Sequence, residues 1–217
     1  MQITYGQNDW LAIGDGEWTW SNGLIRQGAM SSSGLIHELF FHTGSSELQR
    51  TVCARLHITA VGGESDGCDG GPGITILSMG LAGIGLIVNG TRGVMFQEDL
   101  FWNSSEDSID MFPNVGDYVW LKAFYDPATN TCYGKAWFDG DAEPSQWQIT
   151  YQPEFHGNAG DSSAEDFVYV GVVGQTYEPD TTMADIDNFS TVLASDVPAF
   201  KPYFRPRNYL IGGGIGG

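Results

Sequence analysis

The amino-acid sequence predicts an all-β protein, a sandwich or barrel of two antiparallel sheets, and three observations carry that prediction. Residues 51–60 alternate strictly, with Val52, Ala54, Leu56, Ile58 and Ala60 on one side and Thr51, Cys53, Arg55, His57 and Thr59 on the other. A period of two sustained over that length marks a half-buried strand. Residues 117–125 repeat the pattern, setting Val119, Leu121 and Ala123 against Trp120, Lys122 and Phe124. Thirty glycines and the turn dipeptides Asp15-Gly16, Asn22-Gly23, Asn89-Gly90, Asp126-Pro127 and Asp139-Gly140 break the chain into short segments, and helical periodicity is almost absent.

The remaining strands follow between those turns. The N-terminal stretch is expected to form strands over 2–5, 10–13, 17–20, 23–27 and 36–42. The apolar run from Gly73 to Val88 is shorter than the ~18–20 residues that span a bilayer. Gly80, Gly83 and Gly85 interrupt it, so it predicts two strands, 74–79 and 84–88, joined by a glycine-rich turn. Strands over 92–97, 132–138, 146–151, 167–173 and 184–192 complete the pattern. No internal repeat of propeller or solenoid length is visible.

Charge narrows the function. The 217 residues carry 9 Lys+Arg and 27 Asp+Glu, a net charge of −18, with a pI near 4.2. Nucleic-acid binding rests on neutralising phosphates with Lys and Arg, so that class is excluded, and an anionic membrane surface repels the chain for the same reason. Disorder is excluded too, because only 17% of residues are charged while 13% are aromatic. The charge is also segregated. Residues 1–196 hold all 27 acids and six of the bases, a net of −21; residues 197–217 hold three bases and no acid. This predicts one acidic domain over 1–196 and a basic docking tail over 197–217. The tail carries Pro198, Pro202 and Pro206, which favour extended backbone. Its docking residues are Lys201, Tyr203, Phe204, Arg205, Arg207, Tyr209 and Leu210.

Met1 is followed by a polar stretch with neither a basic nor an apolar signal region, so synthesis in a reducing cytoplasm without a signal peptide is expected. Cys53, Cys68 and Cys132 are then free thiols. The sequons at Asn89, Asn103 and Asn188 are then chemically silent.

Residues 115–192 carry a family resemblance. Trp120 and Lys122, Lys135-Ala-Trp137, Gly140, Glu143-Pro144, Trp147, Val170-Gly171 and Ile186-Asp-Asn-Phe189 resemble the central strands of the concanavalin A-like lectin/glucanase superfamily. The similarity is to laminin-G-like modules of bacterial and phage proteins in particular. It implies a two-sheet antiparallel jelly-roll sandwich, here with an extended C-terminal tail. Within it Trp137 and Trp147 are expected to flank a hairpin loop shaped by Glu143-Pro144 and to fill the core between the sheets. The resemblance also implies a non-enzymatic virion protein, a phage head-decoration or tail accessory component whose partners are other virion proteins or copies of itself. The alternatives are an adhesin that binds host-surface glycans, and a glycan hydrolase.

The hydrolase is disfavoured by the residues themselves. A retaining mechanism needs two carboxylates about 5–5.5 Å apart on a rigid strand. The segment nearest the required spacing, Glu64-Ser-Asp66-Gly-Cys-Asp69, sits in a glycine-rich loop, where preorganisation is poor. No cofactor motif is present. Calcium is the open possibility, with Glu64, Asp66 and Asp69 or Asp139 and Asp141 as hard oxygen ligands. His37, His42, His57 and His156 show no zinc spacing, and Cys53 and His57, ~13 Å apart along one strand face, do not form a catalytic pair. For glycan binding the expected aromatic contacts are Trp10, Trp102 and Tyr177, each beside a polar loop.

Overall fold

The computed structural model describes residues 2–3, 10–14, 18–21, 24–27, 35–42, 50–62, 71–79, 82–98, 103–104, 107–154, 169–176 and 182–193. All regular elements among them are strands. In chain order they are β1 (Gln2–Ile3), β2 (Trp10–Gly14), β3 (Trp18–Ser21), β4 (Leu24–Gln27), β5 (Leu35–His42) and β6 (Arg50–Ala60). Then come β7 (Pro72–Met79), β8 (Ala82–Asn89), β9 (Gly93–Glu98), β10 (Asn103–Ser104) and β11 (Tyr118–Asp126). The chain continues through β12 (Thr131–Phe138), β13 (Ile149–Tyr151), β14 (Tyr169–Thr176) and β15 (Met183–Leu193).

The strands form two antiparallel sheets. One has eight strands in the order β13-β12-β11-β6-β15-β4-β3, with β1 also on β15; the other has seven in the order β10-β9-β8-β7-β14-β5-β2. Consecutive strands are either paired neighbours in one sheet or lie in different sheets, so the connections cross repeatedly between layers as in a jelly roll. The two strands with the clearest alternation, β6 and β11, lie side by side in the eight-stranded sheet. Their apolar sides, Val52, Ala54, Leu56, Ile58, Val119, Leu121 and Ala123, are fully buried against Ile74, Ile84, Leu86, Val94, Phe96 and Val172 of the facing sheet.

Two features bring the sheets together. Gly134 of β12 points into the core, where an added Cβ would lie 2.9 Å from Ile149 Cγ2, 3.0 Å from Leu86 Cδ1 and 3.1 Å from Phe96 Cε2. The absence of a side chain there lets Leu86 and Phe96 pack directly on the β12 backbone. Near the rim, the buried Glu98 of β9 accepts hydrogen bonds from the Tyr151 hydroxyl of β13 (2.5 Å) and the Glu154 backbone N–H (2.9 Å). Burial, with that bond to Glu98, pushes the Tyr151 phenol well above its ordinary range, so it remains a donor. The seven-stranded sheet is buried on its far face as well, where Ile87, Met95 and Val173 form a second apolar cluster.

The expected placement of Trp137 and Trp147 in the inter-sheet core is corrected. Inward positions on β12 are Cys132, Gly134 and Ala136, so Trp137 stands on the outer face, paired across the ladder with Trp120. Trp147 joins Phe124 and Tyr133 there. β13 starts at Ile149 rather than 146 because Gln148 is held by side-chain and backbone bonds to β12 before the strand begins. β10, two residues in a polar stretch, has no counterpart among the expected strands. Residues 197–217 lie outside the described residues.

Replacing Gly134 by Ala forces a methyl into this contact, and the expected cost is about 1–3 kcal/mol. Urea unfolding measures it; an unchanged midpoint would show that the sheets have room to spare.

Candidate functional site

Because the apolar sides of β6 and β11 face inward, their polar sides build the outer face of the eight-stranded sheet. Register then decides which residues meet. One row across the strands runs Trp137, Trp120, Arg55 and Asp187; the next runs Tyr118, His57, Asp185 and Arg26. A third sets Lys135 beside Lys122 and Cys53.

Arg55 is the centre of this face. Its Nε and Nη2 each donate to an Asp187 carboxylate oxygen at 2.8 Å, and Nη1 donates to Asp139 Oδ2 at 3.1 Å. The guanidinium lies over the Tyr118 ring at 5.0 Å and the Trp120 ring at 5.7 Å. Hydrogen bonding to Asp187, followed by the charges of Asp187 and Asp139, pushes Arg55 still higher than an ordinary arginine, so its charge is permanent. Asp139 Oδ1 accepts from Trp120 Nε1 at 2.7 Å. Trp120 in turn stacks on Trp137 with ring centroids 5.9 Å apart, and His57 stacks on Tyr118 at 4.5 Å. Tyr118 remains 39% exposed.

Asp187 reaches Arg55 through a β-bulge. Between Asp187 and Ser190 β15 advances three residues while β6 moves two, from Arg55 to Cys53. Asn188 takes φ +50° at that point, and its Nδ2 donates to Asp187 Oδ1 at 3.2 Å. Bulges of this kind re-aim side chains.

The β12–β13 loop closes over the other side of the face. Gly140, at φ +96°, supplies the left-handed turn residue. Glu143 Oε1 then accepts from both Lys122 Nζ (2.9 Å) and Lys135 Nζ, and Lys135 also donates to the Pro144 carbonyl (2.9 Å). The Lys135 ammonium sits 5.1 Å above the Trp147 ring. Burial pushes the Glu143 carboxyl up, but hydrogen bonds and charge from Lys135 and Lys122 together outweigh that and hold it below the ordinary 4.5.

Most of the residues that carry the family resemblance thus form one packed unit on the sheet surface. The expected site residues fare differently. Trp10 falls on β2, at the edge of the seven-stranded sheet. Trp102, Tyr177, Glu64, Asp66, Asp69 and the tail residues lie outside the described residues. Both carboxylate oxygens of Asp139 are engaged by Trp120 and Arg55, and Asp141 belongs to the tight turn closed by its N–H to the Phe138 carbonyl. Among the described residues no three His, Cys, Asp or Glu side chains group as metal ligands. Arg55, Tyr118 and the pair Asp185/Asp187 were missed at the sequence level. The Asp-x-Asp spacing of the last two does place both on one strand face, yet Asp185 pairs with Arg26 at 3.3 Å and Asp187 with Arg55. Cys53 is a free thiol that burial pushes up to about 12 against the pull of Lys122, and burial likewise raises Cys132. Neither is an activated nucleophile.

No protein-family model matches the chain. No curated protein matches it in sequence. Solved structures do match. A Lotus tetragonolobus seed lectin superposes with a TM-score of 0.54 at 10% identity, covering 87% of this chain and 94% of that one. Lectin I from Ulex europaeus, in complex with the methyl glycoside of α-L-fucose, gives 0.53 at 12% identity over 88% and 96%. The exoplasmic/lumenal domain of VIP36, in its Ca2+/Man-bound form, gives 0.51 at 9% identity over 89% and 86%. The chain has the concanavalin A-like lectin fold.

The lysine–glutamate clasp has a pH signature. A carboxyl held below its unfolded value contributes stability above about pH 4.5 and loses it as the pH falls through the folded value. Glu143→Gln is therefore expected to be less stable than the native protein at pH 7 and to converge with it towards pH 3. Urea midpoints across that range test this; a gap that stays constant on acidification would exclude the clasp as its source.

Proposed function

We propose that this chain is a non-enzymatic glycan-binding module that receives its ligand on the outer face of the eight-stranded sheet. The observation that supports it is the part-exposed Tyr118 beside the Arg55–Asp139–Asp187 network. An apolar ring next to fixed planar donors and acceptors is the pairing that a sugar, with its C–H face and hydroxyl rim, requires. The fold shared with a fucoside-bound and a mannose-bound lectin agrees with this reading. Catalysis has no support here, since the carboxylates of the face are engaged by guanidinium, ammonium or indole groups. With both Asp139 oxygens held by Trp120 and Arg55, binding at this face is expected to survive a chelator.

Tyr118→Ala tests the proposal on a glycan array followed by calorimetry with the best ligand. Affinity is expected to fall roughly tenfold, about 1.4 kcal/mol, with little change in melting temperature because the ring is at the surface. Equal affinity for a bound glycan would move the site elsewhere, Trp10, Trp102 and Tyr177 being next in line.

The segregation of charge favours a second reading, in which the module is a virion component and residues 197–217 strap it to an acidic neighbour, another copy included. Deleting residues 197–217 is then expected to abolish assembly while the sandwich still folds, since the inter-sheet core runs from Ile25 to Phe189. Native assembly should also weaken as salt rises. Assembly that is intact after the deletion would remove this reading.

A further inference from the structure

The outer face is electrically unlike the rest of the chain. Residues 1–196 contain six cationic side chains, and four of them, Arg26, Arg55, Lys122 and Lys135, stand on this one face. Each is answered from within. Arg26 pairs with Asp185, Arg55 with Asp187 and Asp139, and both lysines with Glu143. Four cations against four carboxylates leave the described face with no net charge from these pairs, in a chain of −18.

We infer that Asp187 and Asp139 set the ligand specificity of this face by occupying Arg55, so that it takes uncharged glycans and refuses sialylated or sulfated ones; the inference rests on the glycan-binding reading. An acidic sugar is bound through a guanidinium fork that grips two of its oxygens. Here the fork of Arg55 already grips both oxygens of Asp187 at 2.8 Å, and Asp139 takes the next N–H at 3.1 Å. An incoming sulfate or carboxylate that takes the fork has to displace Asp187, leaving that carboxylate, itself only 22% exposed, without its partner, and one that settles for the outer N–H groups meets the charges of Asp187 and Asp139 at close range. The acidic remainder of the chain opposes its approach as well. A neutral sugar meets neither obstacle, because hydroxyls can donate to the outer lone pairs of the carboxylates and accept from the remaining guanidinium N–H groups with the ion pair intact. The internal carboxylates hold the position that an acidic ligand would need, which is exclusion by a built-in competitor.

The test uses the full chain and its Asp187→Asn and Asp139→Asn variants on immobilised neutral, sialylated and sulfated oligosaccharides at 50 and 300 mM salt. The native protein is expected to bind neutral glycans with little salt dependence and to ignore the acidic ones. Asp187→Asn frees Arg55 and is expected to gain at least about tenfold in capture of sulfated glycans at low salt, the gain fading at high salt. Asp139→Asn, in an exposed turn, gains less and keeps the test open if the first variant does not fold. Native binding of acidic glycans as tight as that of neutral ones overturns the inference, as do folded variants without any gain. A native protein silent on both classes overturns the glycan-binding reading instead, and in that case a gain of sulfated-glycan capture by the variants still supports the sequestration of Arg55.

Discussion

Arg55 is the side chain on which the outer face of the eight-stranded sheet depends. It stands in β6, holds the bulge of β15 through Asp187 and the β12–β13 turn through Asp139, and covers two rings of β11. Desolvation offsets much of the Coulombic gain of a part-buried ion pair, so the importance of Arg55 lies in geometry rather than strength. A planar, permanently charged fork fixes both distance and orientation, which a lysine point charge does not. Once it is placed, the Trp120 indole has an acceptor in Asp139, and Trp120 can stand upright against Trp137.

The clasp formed by Glu143 extends the same logic to the neighbouring row. Lys122 and Lys135 lie directly opposite each other on adjacent strands, a repulsive cross-strand pair. Glu143 reaches back from the loop to sit between them, and the repulsion becomes the reason the loop folds over the sheet. Trp147 then covers the clasp from the side, against Phe124 and Tyr133. Residues separated along the chain by up to 27 positions in this segment, from Trp120 to Trp147, thus act as one unit, and their joint geometry explains why they occur together.

Most strands were legible in the sequence to within two or three residues, because alternation and glycine-bounded turns are local signals. Residues 51–60 and 117–125 became the adjacent strands β6 and β11 with the expected apolar sides inward, and the interrupted run from Gly73 to Val88 became the β7–β8 pair. The layer occupied by Trp137 and Trp147 was not legible. Size and hydrophobicity argued for the core, whereas the parity of β12 put Gly134 and Ala136 inside and Trp137 outside. Bulk alone therefore misled, and parity counted from Gly134 would have found the answer.

The partnership at the heart of the candidate site had no local signal at all. Arg55 and Asp187 are 132 residues apart, and Arg26 and Asp185 are 159 apart. Alternation told which side of its strand each residue occupies, since side-chain direction follows from backbone period. Which strands become neighbours, and in what register, follows from closing two sheets around one core, and a bulge at Asn188 shifts that register by a residue. Local chemistry in the chain thus settled the strands and the acidic charge, while long-range pairing brought four of the few bases against four acids on one aromatic face.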